Sequence, residues 1–234
     1  MPNVVFISPK GGAGKTTAAV ALALGLVARG RRVALIDSDP NKPLMNWGAL
    51  PGRSEAISIH PAPTVSDIRD ASREANRRAP DWVILDTEGT ERGTAVLAAL
   101  RFDVALTPLA GSQLDLREAI KAADIVGAFG RRGGRPIAHR ALLTRVPAAI
   151  RPRMLKSVVA QLHQAGVQIL PTPLLEKEAF RALFNIGGGF DGLERHGVWG
   201  AEAARLNTAA YVADVEDLIH HDAARPATGR EARL

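Results

Sequence analysis

Eight residues near the amino terminus, Lys10-Gly11-Gly12-Ala13-Gly14-Lys15-Thr16-Thr17, combine two cations, three glycines and two hydroxyls. Gly11, Gly12 and Gly14 let the backbone turn tightly and aim successive N–H groups into one concavity. A helix starting there adds its positive dipole end and its unpaired N–H groups, so the loop suits an anion. Lys15 supplies a cation for the β- and γ-phosphates of a nucleotide, and the Thr16 hydroxyl is a natural Mg2+ ligand. The candidate nucleotide contacts are therefore Gly11, Gly12, Ala13, Gly14, Lys15, Thr16 and Thr17. A second cluster, Asp37-Ser38-Asp39-Pro40, offers carboxylates that hold Mg2+ through water and orient an attacking water. A third, Val83-Ile84-Leu85-Asp86-Thr87-Glu88-Gly89, is apolar and ends in acid.

These groups work only if strands deliver them to one place. Residues 3–8 form a short apolar run before the glycine loop, residues 17–27 an Ala/Leu-rich buried helix, and residues 32–36 a second apolar run. That is a parallel strand–helix–strand unit. Further runs at 56–60, 82–85, 103–107, 138–143 and 167–170 read as strands. Stretches 44–50, 64–78, 93–100, 113–129, 153–165, 176–184 and 201–220 read as helices, with Thr64 or Ser66 as a cap. Gly130-Arg131-Arg132-Gly133-Gly134-Arg135-Pro136 reads as a basic turn, and Gly187-Gly188-Gly189 as a break. The alternation predicts an α/β fold, a mostly parallel twisted sheet with helices on both faces. Ligands then bind at the carboxyl ends of the strands, where all three clusters fall.

At 234 residues, with 46% hydrophobic residues, the chain suits one large domain over residues 1–222, followed by a frayed tail over 223–234. No run nears the roughly 20 apolar residues of a membrane span. Met1 to Ser8 leads straight into the loop and reads as a strand, not a signal peptide. Cysteine is absent, which excludes disulfides, thiolate metal sites and cysteine catalysis. Together these features place the expected protein in the cytoplasm. The net charge is +6, but it is regional. Residues 125–175 contain no Asp or Glu and carry Arg131, Arg132, Arg135, Arg140, Arg145, Arg151, Arg153 and Lys156, which leaves the rest of the chain slightly acidic. A basic region of this kind is the footprint of a phosphate-backbone binder. Arg131, Arg132, Arg135, Arg151, Arg153 and Lys156 are the candidate DNA contacts, against the plainer reading of solvated arginines. Only 4% of residues are aromatic, and no base-reading motif stands out.

Lys10 distinguishes the loop. In a plain Gly-x-x-x-x-Gly-Lys-Thr loop the first glycine would stand at Pro9, and no lysine is needed at position 10. A lysine there resembles the signature lysine of the deviant Walker A ATPases of the ParA/MinD superfamily. The resemblance implies a P-loop NTPase fold and Mg2+-dependent ATP hydrolysis. It also implies a homodimer that sandwiches two ATP molecules, with Lys10 reaching the partner's nucleotide. Lys10, Lys15 and Asp39 are then the catalytic candidates, Asp39 being tied to hydrolysis. Residues 83–86 resemble a Walker B strand, so Thr16, Asp37 and Asp86 are the metal candidates. Arg145 and Pro173, in the loops 144–147 and 171–173, are implied to flank the adenine. Glu88 departs from the superfamily pattern: it is either an added water-orienting carboxylate or a solvated one.

Within the superfamily, Asp86-Thr87-Glu88-Gly89, Arg145-Val146-Pro147, Pro171-Thr172-Pro173 and Glu176-Lys177-Glu178-Ala179-Phe180 are similar to the virulence-C type ATPases of T-DNA and conjugative transfer. That likeness implies DNA binding near a transfer origin and recruitment of a transfer complex to the cell pole. The expected cycle is largely nonspecific DNA binding in the ATP state and release on hydrolysis, with an adaptor or cargo protein. The implied site of action is the nucleoid or the cell pole, with no membrane contact. The rivals are a ParA-like cargo-positioning ATPase, a MinD-like membrane ATPase and a small-molecule kinase. A MinD-like anchor needs an apolar amphipathic terminus, and residues 225–234 carry few apolar side chains.

Overall fold

The computed structural model describes residues 1–8, 11–88, 93–133, 136–147 and 153–223. The elements are β1 (Asn3–Phe6), α1 (Lys15–Ala28), β2 (Val33–Ser38), α2 (Pro43–Gly48), β3 (Ile57–Pro61), α3 (Asp67–Asn76), β4 (Trp82–Thr87), α4 (Gly93–Ala99), β5 (Val104–Leu109), α5 (Gln113–Gly133), β6 (Ala138–Leu143), α6 (Arg153–Gln164), α7 (Glu178–Ile186), α8 (Phe190–Arg195) and α9 (Ala201–Ala223). Among the described residues the strands form one six-stranded sheet in the order β3-β2-β4-β1-β5-β6, with every pairing parallel.

Both faces of the sheet are covered, which is why its strands are apolar at nearly every position. Val4, Phe6, Val33 and Leu35 point to one side, where α1, α7 and α9 supply Leu22, Leu26, Leu183, Tyr211 and Val212. Their neighbours Val5, Ala34 and Ile36 point to the other side, against Ile68 of α3, Leu97 of α4 and Val126 of α5. Helix α1 is buried almost all round because it lies between the sheet and α9. Gly25 permits that packing: a Cβ there would stand 2.5 Å from Val212 Cγ2 and 3.0 Å from Thr208 Cγ2. A third cluster closes the sheet edge, joining Leu116 of α5, Leu143 of β6 and Leu155 and Val158 of α6.

Three local readings change. Helix α5 runs through Gly133, so Arg131 and Arg132 belong to its last turn and not to a loop. Cations there complement the negative end of the helix. The strand expected at 167–170 reduces to a single parallel bridge, Ala141 to Ile169. Pro171 and Pro173 follow it, and proline has no N–H to continue a ladder. At α3 neither Thr64 nor Ser66 caps with its side chain. Asp67 reaches back instead, accepting from Thr64 N at 2.9 Å and Thr64 Oγ1 at 2.6 Å. The short helix α8 was not foreseen in the sequence. The tail beyond residue 223 lies outside the described residues. Among the described residues no helix is long and apolar enough to cross a membrane.

Candidate nucleotide site

Strand β1 lies between β4 and β5, and the glycine loop leaves its carboxyl end. Chain order reverses about β1 here, which opens a crevice above the sheet. Gly14, at φ +91°, takes the left-handed conformation that turns the loop into α1. Thr144, just beyond β6, donates from Oγ1 to the Ala13 carbonyl at 2.9 Å and so pins the loop from the far side of the sheet.

Lys15 is the first residue of α1 and is only 7% exposed. Burial lowers its pKa, and the carboxylates of Asp86, Asp39 and Glu88 oppose that shift. Thr16 Oγ1 donates to Asp86 Oδ2 at 2.6 Å. Asp86 is fully buried, and its Oδ1 has no hydrogen-bond partner among the described residues. Burial pushes its carboxyl up to about 7, against the pull of the Thr16 hydroxyl and the Lys15 charge. A buried carboxyl with one satisfied oxygen, set behind a threonine hydroxyl and beside a lysine, fits a Mg2+–phosphate site. Among the described residues no group of three or more His, Asp or Glu could hold a metal alone.

The carboxylates are arranged by register. Asp37 of β2 stands opposite Asp86 of β4, and Ser38 opposite Thr87. Thr87 is anchored by its own hydroxyl, which donates to the Phe6 carbonyl at 2.7 Å. Asp37, expected at the metal, has both oxygens engaged by backbone: Oδ2 accepts from Met45 N at 2.9 Å, and Oδ1 from Asp39 N at 3.3 Å. Its first task is therefore to fix the start of α2, and burial raises its pKa. Asp39 is half-buried beyond the strand, with Oδ1 accepting from Asn41 N at 2.8 Å and Asn41 Nδ2 at 3.0 Å. Lys10 lies outside the described residues.

Beside the loop opens a cavity of about 420 Å3, bounded by Gly14, Thr17, Thr144 and Arg145 on one side and by α7 on the other. Its size suits a base and ribose. Arg145, at φ +54°, is one of the residues lining this cavity. Pro173 does not line this cavity. Its carbonyl accepts from Asn207 Nδ2 at 2.9 Å, and it lines a separate cavity of about 390 Å3 with Leu143, Leu155 and Val159. Beside Thr144 of the 144–147 loop, Phe180 and Phe184 line this cavity without a sequence signal that marks them for it. The phenylalanines carry no signal that separates a cavity wall from ordinary core.

Among the described basic candidates, Arg131 and Arg132 lie apart from Lys156. Lys156 lies near the amino end of α5, since a Cβ on Gly111 would meet Leu155 at 2.9 Å. Arg131 and Arg132 lie at the other end of α5, about 30 Å away along a helix of this length. Arg135 and Arg151 lie outside the described residues, and Arg153 opens α6.

Comparison with known proteins gives consistent relatives. The family model described as "VirC1 protein" matches residues 1–221. Protein ParA of Rhizobium radiobacter is 32% identical over 198 residues, covering 83% of this chain and 87% of that one. Protein virC1 of Rhizobium rhizogenes is 30% identical over 189 residues, covering 78% and 80%. The septum site-determining protein MinD of Pyrococcus horikoshii OT3, solved with Mg-ADP, superposes with a TM-score of 0.67 at 15% identity, covering 96% of this chain and 99% of that one. That likeness is one of fold.

Proposed function

The chain belongs to the VirC1 family of ParA-like ATPases, and from that premise we propose that it is an ATP-driven dimerising switch that binds DNA in partition or conjugative transfer. The observation that carries the reading is the buried Asp86 carboxyl, held by Thr16 beside Lys15 at the foot of the glycine loop.

Loop N–H groups and the α1 dipole hold the phosphates of ATP, and Lys15 neutralises the β- and γ-oxygens. Thr16 would hold Mg2+ directly, with Asp86 behind it and Asp37 through water. When bound, the ion supplies charge neutralisation across the β- and γ-phosphates. The base enters the cavity between Arg145 and α7. Asp39 orients a water toward the γ-phosphorus. The new bond forms from that water's oxygen as the bond from phosphorus to the β-γ bridging oxygen breaks, ADP leaves, and the water's proton passes toward Asp39. Lys10 reaches the partner's nucleotide, so ATP favours a dimer that doubles the basic surface offered to DNA. Hydrolysis dissolves the dimer and releases the DNA. The adaptor or cargo protein would read the ATP-bound form at the nucleoid or the cell pole.

The test is binding to nonspecific duplex DNA with ATP, with ADP and without nucleotide, at two salt concentrations. The expected result is tight binding only with ATP, falling by at least about tenfold from low to physiological salt. Binding that ignores nucleotide would remove the switch, and no binding in any state would reduce the basic residues to a solvated surface.

A further inference from the structure

A second cavity, of about 690 Å3, opens at the far end of α1 from the phosphate loop. Leu24 and Val27 of α1, Ile186 of α7 and Phe190 of α8 give it apolar walls. The remaining wall is largely backbone, because the 51–54 turn meets the glycine run 187–189 closely. A Cβ on Gly187 would stand 2.4 Å from Leu50 Cβ and 2.7 Å from the Pro51 carbonyl, so only glycine fits there. At the α9 wall lies Thr208, 1% exposed, whose Oγ1 has no hydrogen-bond partner among the described residues. A buried hydroxyl left unpaired costs free energy that a ligand would relieve. Three arginines line the cavity. Arg29 pairs with Glu216, and Arg205 with Glu194 at 3.4 Å. Arg195 has no ion pair among the described residues, and His196 is beside it.

We propose that this cavity is a second ligand site, which takes an organic anion: a carboxylate or phosphate held by Arg195 and Thr208, on an apolar body seated against Leu24, Val27 and Phe190. Helix α7 walls both cavities, with Phe180 and Phe184 facing the nucleotide side and Ile186 this one. On this proposal, occupancy of the second site shifts nucleotide affinity through α7. The site itself stands without the nucleotide reading; only the coupling rests on it.

The probe is anilinonaphthalene sulfonate, an anion on an aromatic body, followed by its fluorescence with the full chain in saturating Mg-ADP. One saturable site is expected. Arg195→Glu should weaken it by about tenfold or more, the scale of a lost charged hydrogen bond. Thr208→Val, which keeps shape and removes an unpaired hydroxyl, should weaken the probe several-fold with no loss of thermal stability. Gly192→Phe, whose added Cβ meets nothing within 4 Å, should abolish binding. Decanoate and decyl phosphate, used as competitors, distinguish a carboxylate from a phosphate ligand by which displaces the probe better. The proposal is overturned if no saturable site appears in saturating Mg-ADP, if all three variants bind the probe as the wild type does, or if neither competitor displaces it. Saturating decanoate or decyl phosphate should shift Mg-ADP affinity several-fold, and Mg-ADP should shift theirs equally. An unchanged Mg-ADP affinity overturns the coupling alone. A wild-type chain that binds the probe but no Mg-ADP counts against the nucleotide reading and not against the second site.

Discussion

Lys15 is surrounded by acid: Asp86, Asp39 and Glu88 all act on it, and burial strips it of water. Phosphate must compete with those carboxylates for its charge. Lys15→Ala is expected to abolish ATP binding, read by calorimetric titration, and ATP-stimulated DNA binding with it. Glu88→Gln removes one competing charge and should tighten Mg-ATP binding several-fold in the same titration. A weaker affinity would instead mean that Glu88 supports the bound nucleotide. A separate residue sets acid sensitivity. His139 of β6, half-buried, sits 2.9 Å from Thr107 Oγ1, and desolvation, with the Arg140 charge, pushes it down to about 4. Between about pH 6.5 and pH 4 the unfolded chain binds a proton there that the folded chain refuses, so stability falls as pH falls through that window. The loss from this one group is about 3 kcal/mol at most. His139→Gln should lose that part of the slope in urea unfolding at pH 7.5 and pH 4.5.

At the scale of elements, α1 joins everything. Its first residues hold the phosphate loop, its middle packs on the sheet and α9, and its end walls the second cavity. The packing on α9 depends on Gly25, where any side chain meets Val212 and Thr208. Gly25→Ala is expected to cost about 1–3 kcal/mol through overpacking. The shift should appear as a lower urea midpoint, with Mg-ADP affinity retained in the folded fraction. Register is the second device at this scale. Pairing Asp37 with Asp86 across β2 and β4 brings two acids from distant parts of the chain to one height above the sheet. It also explains why Asp37 is committed to the α2 backbone: two bare carboxylates side by side would repel.

At the scale of the molecule, the charges are divided. Arg131 and Arg132 project from one end of α5, and Lys156 lies near the other. Arg181 is paired with Glu176 and Glu178, and Arg205 with Glu194, so neither adds an open cation. Lys156 shares the carboxyl edge of the sheet with the nucleotide, whereas Arg131 and Arg132 do not. If DNA lies across the edge that ATP brings together, Lys156→Glu should weaken ATP-dependent DNA binding and flatten its salt dependence. Arg131→Glu with Arg132→Glu should then do less, as read by fluorescence anisotropy at two salt concentrations. The reverse order would place the DNA along the α5 end.

The glycine loop, Lys15, Thr16 and the strand-end aspartates were legible in the chain because their chemistry is local: a phosphate cradle needs neighbouring residues, and its spacing is written in the sequence. Alternating apolar runs likewise determined a parallel sheet, since strands buried on both faces must be apolar throughout. Tertiary structure alone decided which acids meet, because strand order and register are set by long-range pairing that no local window contains. It set Pro173 in a cavity separate from the one beside the glycine loop, where Asn207 of α9 holds its carbonyl. It divided a basic stretch continuous in sequence, because α5 carries its ends about 30 Å apart. It also made the second cavity, whose walls come from α1, the 51–54 turn, α7, α8 and α9, and whose unpaired Thr208 looks in the sequence like any threonine in a helix.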